Sequence, residues 1–195
     1  PKTVEEIEDD WCSYALHLKK VTVSPENKNF KYLDAEHQII VGKSDKNEDI
    51  FDVIVFANRN IKYFQIPKYI KYIKSDAFAN CEQLKMIDIP DDSEIDSFGI
   101  NAFTDTSLVN FRFPRKVCEY ENDFLNGSKK IWCIEFLGDF FVDDKNSIFD
   151  SLDELILVSF PNVKELSFSN KNFILSQEEF IMFVNAGSKL FFPKF

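Results

Sequence analysis

The sequence predicts a β-rich, right-handed solenoid, in which coils of 23–24 residues stack on a parallel sheet and the terminal coils are irregular. Three observations predict it. A short apolar pattern returns at a fixed period, a proline follows it in most copies, and the chain holds 22 Phe but only 5 Gly. A fixed period of about 20 to 50 residues is typical of stacked coils, because one coil cannot bury its apolar face alone.

The pattern has seven positions, of which the first, fourth and sixth are apolar and the seventh is usually proline. Its copies begin at Ile61, Leu84, Leu108, Ile131 and Leu155, at intervals of 23, 24, 23 and 24 residues. Successive side chains of a strand point to opposite faces, so positions 4 and 6 share one face and positions 3 and 5 share the other. The proline at position 7 lacks an amide donor and should end each strand.

Positions 4 and 6 are apolar in every copy and are predicted to form the core. They are Phe64, Ile66, Ile87, Ile89, Phe111, Phe113, Ile134, Phe136, Val158 and Phe160. A second ladder of phenylalanines is predicted to enter the core later in each coil. Its members are Phe78, Phe103, Phe124 and Phe149. This ladder explains why phenylalanine is so frequent.

The pattern predicts a single domain over residues 1–195. We expect a partial first coil and a variant double coil with a projecting β-hairpin over 1–60, regular repeats over 61–168 and a cap over 169–195. The segment Leu18–Val23 supplies the same apolar positions as the later strands. The spacing of the repeat already fits from Pro1 onward, either because the chain is a piece of a longer array or because the first coil is partial. The aromatic residues 191–195 form either the core of the cap or an exposed end.

Residues 61–83, IKYFQIPKYIKYIKSDAFANCEQ, resemble the BspA-like (Treponema-type) leucine-rich repeats. They match the family pattern L-x-x-I-x-I-P-x-x-V-x-x-I-x-x-x-A-F-x-x-C at each defined position. The next copy carries one inserted residue, and later copies are weaker, with Leu137 in place of proline and Asp123-Phe124 in place of Ala-Phe. The resemblance covers about residues 1–168, in the style of protozoan-parasite members. It implies a leucine-rich-repeat stack that binds proteins, commonly as a surface adhesion protein for host-cell or matrix proteins.

The composition of the chain limits the classes of partner that we expect. The net charge of −10 would be repelled by nucleic-acid phosphates and by anionic lipid, so we expect neither as a partner. The chain contains no run of about 20 apolar residues, so we expect no membrane insertion. Its first residues are acidic and do not form a secretory signal. We therefore expect a location at the cell surface or in the cytoplasm.

Catalytic and metal chemistry is not expected. Cys12, Cys81, Cys118 and Cys133 form no C-x-x-C pair, and the two histidines, His17 and His37, are far apart in the repeat register. Metal ligation needs closer spacing, and a catalytic triad needs a nucleophile beside its base. We predict buried reduced thiols, no cofactor, no metal and no enzymatic activity.

The exposed face of the strands is the predicted partner site. The residues chosen from positions 2, 3 and 5 are Tyr63, Gln65, Met86, Asp88, Asn110, Arg112, Trp132 and Glu135. Position 2 changes from Lys62 and Lys85 to Val109, Trp132 and Ile156. Because Trp, Tyr and Arg dominate binding hot spots, Trp132 with Arg112 and Tyr63 is the expected centre. Alternatively, Trp132 and Ile156 pack under the C-terminal residues.

Two functions remain open from the sequence. The first is a surface adhesion-type protein that captures a host or matrix protein. The second is an intracellular scaffold that uses the same face for an endogenous partner. Reduced cysteines favour the second, and the habit of the family that the repeats resemble favours the first.

Overall fold

The computed structural model describes residues 1–9, 11–13, 15, 18–117, 119–120, 123–138, 140–142, 152, 157–160, 165–168, 171–174, 180–185 and 189–190. Within these residues the fold is built of short β-strands and contains no α-helix. The strands are β1 Phe30–Tyr32, β2 Ile39–Gly42, β3 Val53–Ala57, β4 Tyr63–Gln65, β5 Tyr72–Ile73, β6 Met86–Asp88, β7 Ser97–Phe98, β8 Asn110–Phe113, β9 Glu119–Tyr120, β10 Cys133–Phe136, β11 Phe140–Val142, β12 Leu157–Phe160, β13 Glu165–Phe168, β14 Lys171–Ile174, β15 Phe180–Asn185 and β16 Lys189–Leu190.

Parallel strands lie on two sides of the core. The copies of the pattern form β4, β6, β8, β10 and β12, of which β4 pairs with β6, and β8, β10 and β12 pair in order. Between them along the chain, β5, β7 and β9 pair in parallel beyond β3 in a different, six-stranded sheet. The chain therefore passes from one sheet to the other and back. The prediction of one parallel sheet is incomplete, since strands in the second halves of the repeat copies pair as well.

Equivalent positions of the pattern face each other across the strands. Tyr63 pairs with Met86, and Asn110 pairs with Cys133, which pairs with Leu157 on its other side. Between β6 and β8 lies the copy that carries the extra residue, and the two strands belong to different sheets. The register follows the apolar positions, because a slip by one residue would turn the core face to solvent.

The predicted core positions are confirmed in the described part of the chain. The fully buried ones are Ile66, Ile87, Ile89, Phe111, Phe113, Ile134 and Phe136. Phe64 is only partly buried, although it packs against the main cluster. In the described residues β4 pairs with β6 alone, and the ring centroid of Phe64 lies 6.1 Å from that of Phe78. The side chains of Val158 and Phe160 lie outside the described residues.

The phenylalanine ladder is present and larger than predicted. Phe78 and Phe103 stack with ring centroids 5.0 Å apart, and Phe124 is fully buried beside them. Phe98 of β7 joins the ladder and stacks on Phe124 at 5.2 Å. The sequence pattern does not predict Phe98 as a core residue, because this residue belongs to the six-stranded sheet and not to the strands of the pattern. Phe149 lies outside the described residues.

The hairpin segment does not project from the stack. Strands β1, β2 and β3 form an antiparallel meander that continues the six-stranded sheet, and every residue of β2 and β3 is buried. The hairpin lies within the core instead of projecting from it, because β2 and β3 separate two apolar clusters. Ile39, Val41 and Ile54 pack in one cluster, and Ile40, Val53 and Val55 pack in the other. Residues 18–23 form no strand; instead, the Tyr32 hydroxyl accepts from the Val23 amide at 3.2 Å and donates to the Val21 carbonyl at 3.1 Å.

A buried carboxylate closes the loop between β2 and β3. Asp52 is 1 % exposed, and it accepts hydrogen bonds from the amide of Ser44 at 2.9 Å and from its hydroxyl at 2.8 Å. The Lys71 ammonium lies 3.1 Å from the same carboxylate. Burial raises the pKa of Asp52, but the bonds from Ser44 and Lys71 lower it by more, so the pKa is below its usual value.

The turns between the strands depend on residues that accept left-handed backbone. Asn80 and Asp105 have φ of 59° and 54°, which short polar side chains tolerate. Gly127 has φ of 72°, and a Cβ there would lie 2.0 Å from the Asp105 carboxylate. Since the Asp105 amide donates to the Asn126 carbonyl at 2.9 Å, neighbouring turns are too close for a side chain at position 127.

Pairing becomes antiparallel towards the C-terminus. β15 runs antiparallel to β12, and β14 runs antiparallel to β13. An array of stacked coils commonly ends in sequence that departs from the repeat. The boundary of the cap at residue 169 stays a prediction.

Candidate protein-binding face

Four successive copies of the pattern each carry one large exposed apolar side chain, either in the strand (β4 and β6) or directly before it (β8 and β10). We call this set of four side chains the apolar stripe. Its members are Tyr63, Met86, Val109 and Trp132, with exposed fractions of 46 %, 48 %, 38 % and 45 %. One comes from each of four successive copies of the pattern. The stripe occupies position 3 in the first two copies and position 2 in the last two.

The backbone beneath the stripe is continuous, although β6 and β8 belong to different sheets. The amide of Lys85 donates to the carbonyl of Lys62 at 3.0 Å, and that of Val109 donates to Lys85 at 3.3 Å. The amide of Trp132 then donates to Val109 at 3.1 Å. The four copies are thus bonded in one row at position 2. Val109 and Trp132 belong to this row, and Tyr63 and Met86 each follow it by one residue.

The predicted site residues lie together on this face. Tyr63, Gln65, Met86, Asn110 and Trp132 are exposed. Three others, Asp88, Arg112 and Glu135, are partly buried. Val109, which shares position 2 with Trp132 but was not among the predicted site residues, is exposed as well.

Arg112 is held by three bonds and ties neighbouring copies together. Its Nη2 lies 2.8 Å from the Asp91 carboxylate, its Nε donates to Glu135, and its Nη1 donates to the Ile89 carbonyl at 3.2 Å. Burial lowers the pKa of Arg112, but the bonds with Glu135 and Asp91 raise it by more. With these donors engaged, Arg112 positions the surface more than it offers a free contact, and the stripe is the better centre.

The exposure of Trp132 bears on the alternative in which it packs under the C-terminal residues. Nearly half of the side chain is open in the structure. This favours its role in the stripe over a role in packing. Ile156, the other residue of that alternative, lies outside the described residues.

Two of the three described cysteines, Cys12 and Cys81, are unsuited to nucleophilic chemistry. Cys12 and Cys81 are free and buried. Burial raises the pKa of Cys12, and it raises that of Cys81 to about 11. Such thiols stay protonated at neutral pH, and the thiolate is the reactive form. Cys118 and His17 lie outside the described residues, and the ring of His37 stacks on Tyr32 at 4.1 Å.

The described residues contain no group of three or more His, Cys, Asp or Glu side chains placed to hold a metal ion. They also contain no helix that is long and apolar enough to cross a membrane.

Residues 50–174 match the model of the BspA type leucine rich repeat region, in six copies. The chain belongs to the BspA-type leucine-rich-repeat family. The resemblance seen in residues 61–83 is therefore confirmed, while the protozoan-parasite style is not tested. Strands β5, β7 and β9, which the sequence pattern did not predict, also lie inside the matched range.

Solved structures of BspA-type and related repeat proteins share the fold. A leucine-rich repeat protein from Eubacterium ventriosum aligns with a TM-score of 0.63 and 17 % identity, over 85 % of this chain and 48 % of that one. The pneumococcal vaccine antigen PcpA aligns with a TM-score of 0.50 and 18 % identity, over 74 % of this chain and 39 % of that one. The chain thus spans about half or less of the length of these neighbours. No curated protein matches it.

Proposed function

We propose that this BspA-type chain is a protein-binding module that captures its partner on the face that carries the apolar stripe. The observation that carries the proposal is the run of Tyr63, Met86, Val109 and Trp132, all exposed and all on bonded neighbouring copies. Aromatic residues and methionine are enriched at the centres of protein interfaces. A contiguous exposed apolar patch on a soluble protein commonly marks an interaction site.

The rest of the predicted architecture belongs to the same proposal. Residues 1–195 form one domain, whose coils wind into a right-handed solenoid. Such a stack offers an extended surface instead of an enclosed pocket. A partner that lies along this surface can contact several copies at once, which suits the spread of the stripe over four strands.

The favoured role is that of an adhesion-type protein at the cell surface, with a host or matrix protein as its partner. One structural neighbour is described as a vaccine antigen, and that description supports a search for partners outside the cell. The alternative is an intracellular scaffold with an endogenous partner. The free buried thiols Cys12 and Cys81 favour this second role, because disulfides are rare where thiols are kept reduced.

Location is tested first, by antibody staining of the source cells with and without permeabilisation. Staining of intact cells supports the adhesion role. Staining that requires permeabilisation overturns it and supports the scaffold. The binding face is tested in a separate experiment, so that the result on location does not affect the conclusion about the face.

The face is tested with a matched pair of tyrosines. Tyr63 lies in the stripe, whereas Tyr69 lies in the turn between β4 and β5 and is also 46 % exposed. Immobilised wild type, Tyr63→Asp and Tyr69→Asp are compared for binding to purified matrix proteins or to cytosolic proteins, as the staining directs. Binding should be lost in Tyr63→Asp and kept in Tyr69→Asp. Equal behaviour of the two variants would refute the assignment of the face.

A further inference from the structure

We propose that the occupant of the apolar stripe is an acidic amphipathic helix of about three turns, lying across the strands. This inference rests on the proposed function, since it names the class of partner for the same face. Three features of the stripe carry it: its direction relative to the strands, the spacing of its members, and two lysines beside it.

The stripe runs across the strands. Each member comes from a different copy of the pattern. The backbone row at position 2, which holds Val109 and Trp132 and lies one residue before Tyr63 and Met86, is bonded from Lys62 through Lys85 and Val109 to Trp132. Neighbouring strands lie about 4.8 Å apart, so three steps from Tyr63 to Trp132 cover about 14 Å. A segment that contacts all four members must present an apolar side chain at about this interval.

A helix meets this spacing better than an extended segment does. Apolar side chains at helix positions i, i+3, i+7 and i+10 lie on one face and span about 15 Å. In an extended segment only alternate side chains share a face, so four of them span about 20 Å. The excess of about 6 Å exceeds one strand spacing, so an extended peptide in this direction would lose register with the stripe.

The positive charge beside the stripe favours a bound helix of negative charge. Lys62 and Lys85 are both exposed and stand next to Tyr63 and Met86 in the chain. In the described part of the protein, no carboxylate lies within ion-pair distance of either ammonium. On the other flank, Arg112 is already neutralised by Asp91 and Glu135. Acidic residues on the flank of the bound helix would complement the two lysines.

The test is a selection from two displayed peptide libraries on the immobilised wild-type chain. One library uses a helix-favouring alanine-rich frame of 14 residues, and the other uses an alternating threonine- and valine-rich frame of equal length. We expect enrichment from the helical library, with apolar residues at i, i+3, i+7 and i+10 and with Glu or Asp on one flank. Enrichment of extended peptides, or of helices with basic flanks, would overturn the proposal.

The enriched peptides are then synthesised, and their affinities are measured by fluorescence anisotropy. Trp132→Asp and the double variant Lys62→Glu/Lys85→Glu should each weaken binding by about tenfold or more, and added salt should weaken binding to the wild type. Tyr69→Asp should leave the affinity unchanged. Thermal melting of each variant verifies that it is folded.

The outcomes separate this inference from the proposed function. Extended peptides that depend on Tyr63 and Trp132 would keep the face as a binding site and overturn the helical occupant. Selected peptides that bind equally well to Tyr63→Asp, Trp132→Asp and the wild type would overturn both.

Discussion

Replacement of Phe111 by alanine should be among the most costly single changes in the core. Phe111 is 1 % exposed. Its ring centroid lies 5.3, 5.4, 5.7 and 5.7 Å from those of Phe103, Phe113, Phe98 and Phe124, respectively. Burial of a phenylalanine side chain contributes about 2–3 kcal/mol, and the cavity left among these rings raises the loss to about 3–5 kcal/mol.

The measurement is urea denaturation followed by circular dichroism, with Trp132→Ala as the comparison. Trp132 is exposed on the stripe, so its truncation should cost about 1 kcal/mol or less. The slope of the unfolding free energy with urea should be the same in both variants, which shows that both expose a similar surface on unfolding. A loss below about 1 kcal/mol for Phe111→Ala, or an equal loss for Trp132→Ala, would refute the division of the strands into an inner and an outer face.

Three further changes test other parts of the structure. Because the pKa of Asp52 is lower in the folded chain than in the unfolded one, its carboxylate stabilises the fold above about pH 4 and loses this effect as the pH falls through the folded value. The difference in urea midpoint between wild type and Asp52→Asn should therefore be largest near neutral pH and shrink in acid; a constant difference would contradict this. Gly127→Ala should cost about 1–3 kcal/mol in a thermal or urea melt, since φ is 72° and a Cβ would meet a neighbouring turn; an unchanged melt would show that the turn can shift. Alkylation of the native protein at pH 8, read by peptide mass mapping, should modify the partly exposed Cys133 well before Cys81, whose pKa is about 11; early loss of Cys81 would contradict its burial.

The pattern in the sequence predicts one half of each coil well. Positions 4 and 6 are apolar in all five copies, and those with described side chains are buried, apart from the partly open Phe64. Strand alternation and a fixed period act along the chain itself, so the inner and outer faces follow from linear spacing. The strand bounds follow as well, since a proline ends most copies.

The strands in the second half of each repeat copy were not predicted from the sequence. β5 and β7 are each two residues long, and their sequences carry no alternation that marks a strand. They become strands because Ile73 and Phe98 are brought side by side when neighbouring copies of the repeat pair. Phe98 therefore enters the phenylalanine ladder through a contact that exists only between copies.

The candidate face shows the same division. The exposure of Tyr63 and Met86 follows from their position 3 in the repeat, whereas the engagement of Arg112 by Asp91 and Glu135 does not. An ion pair between copies of the repeat depends on which long side chains come within reach of each other in the folded chain. For that reason a sequence can nominate an arginine for binding, and only the structure reveals that its donors are already engaged.

The sequence by itself determined the repeat family, the parallel strands and the side of each strand that faces the core. Tertiary structure decided that β1, β2 and β3 extend one sheet instead of projecting, and that the apolar stripe shifts from position 3 to position 2 after Met86. The physical reason is the range of the forces involved. Apolar periodicity is a property of the linear sequence. The packing of β1, β2 and β3 and the alignment of one repeat copy with the next arise only when segments that are distant in sequence share a core.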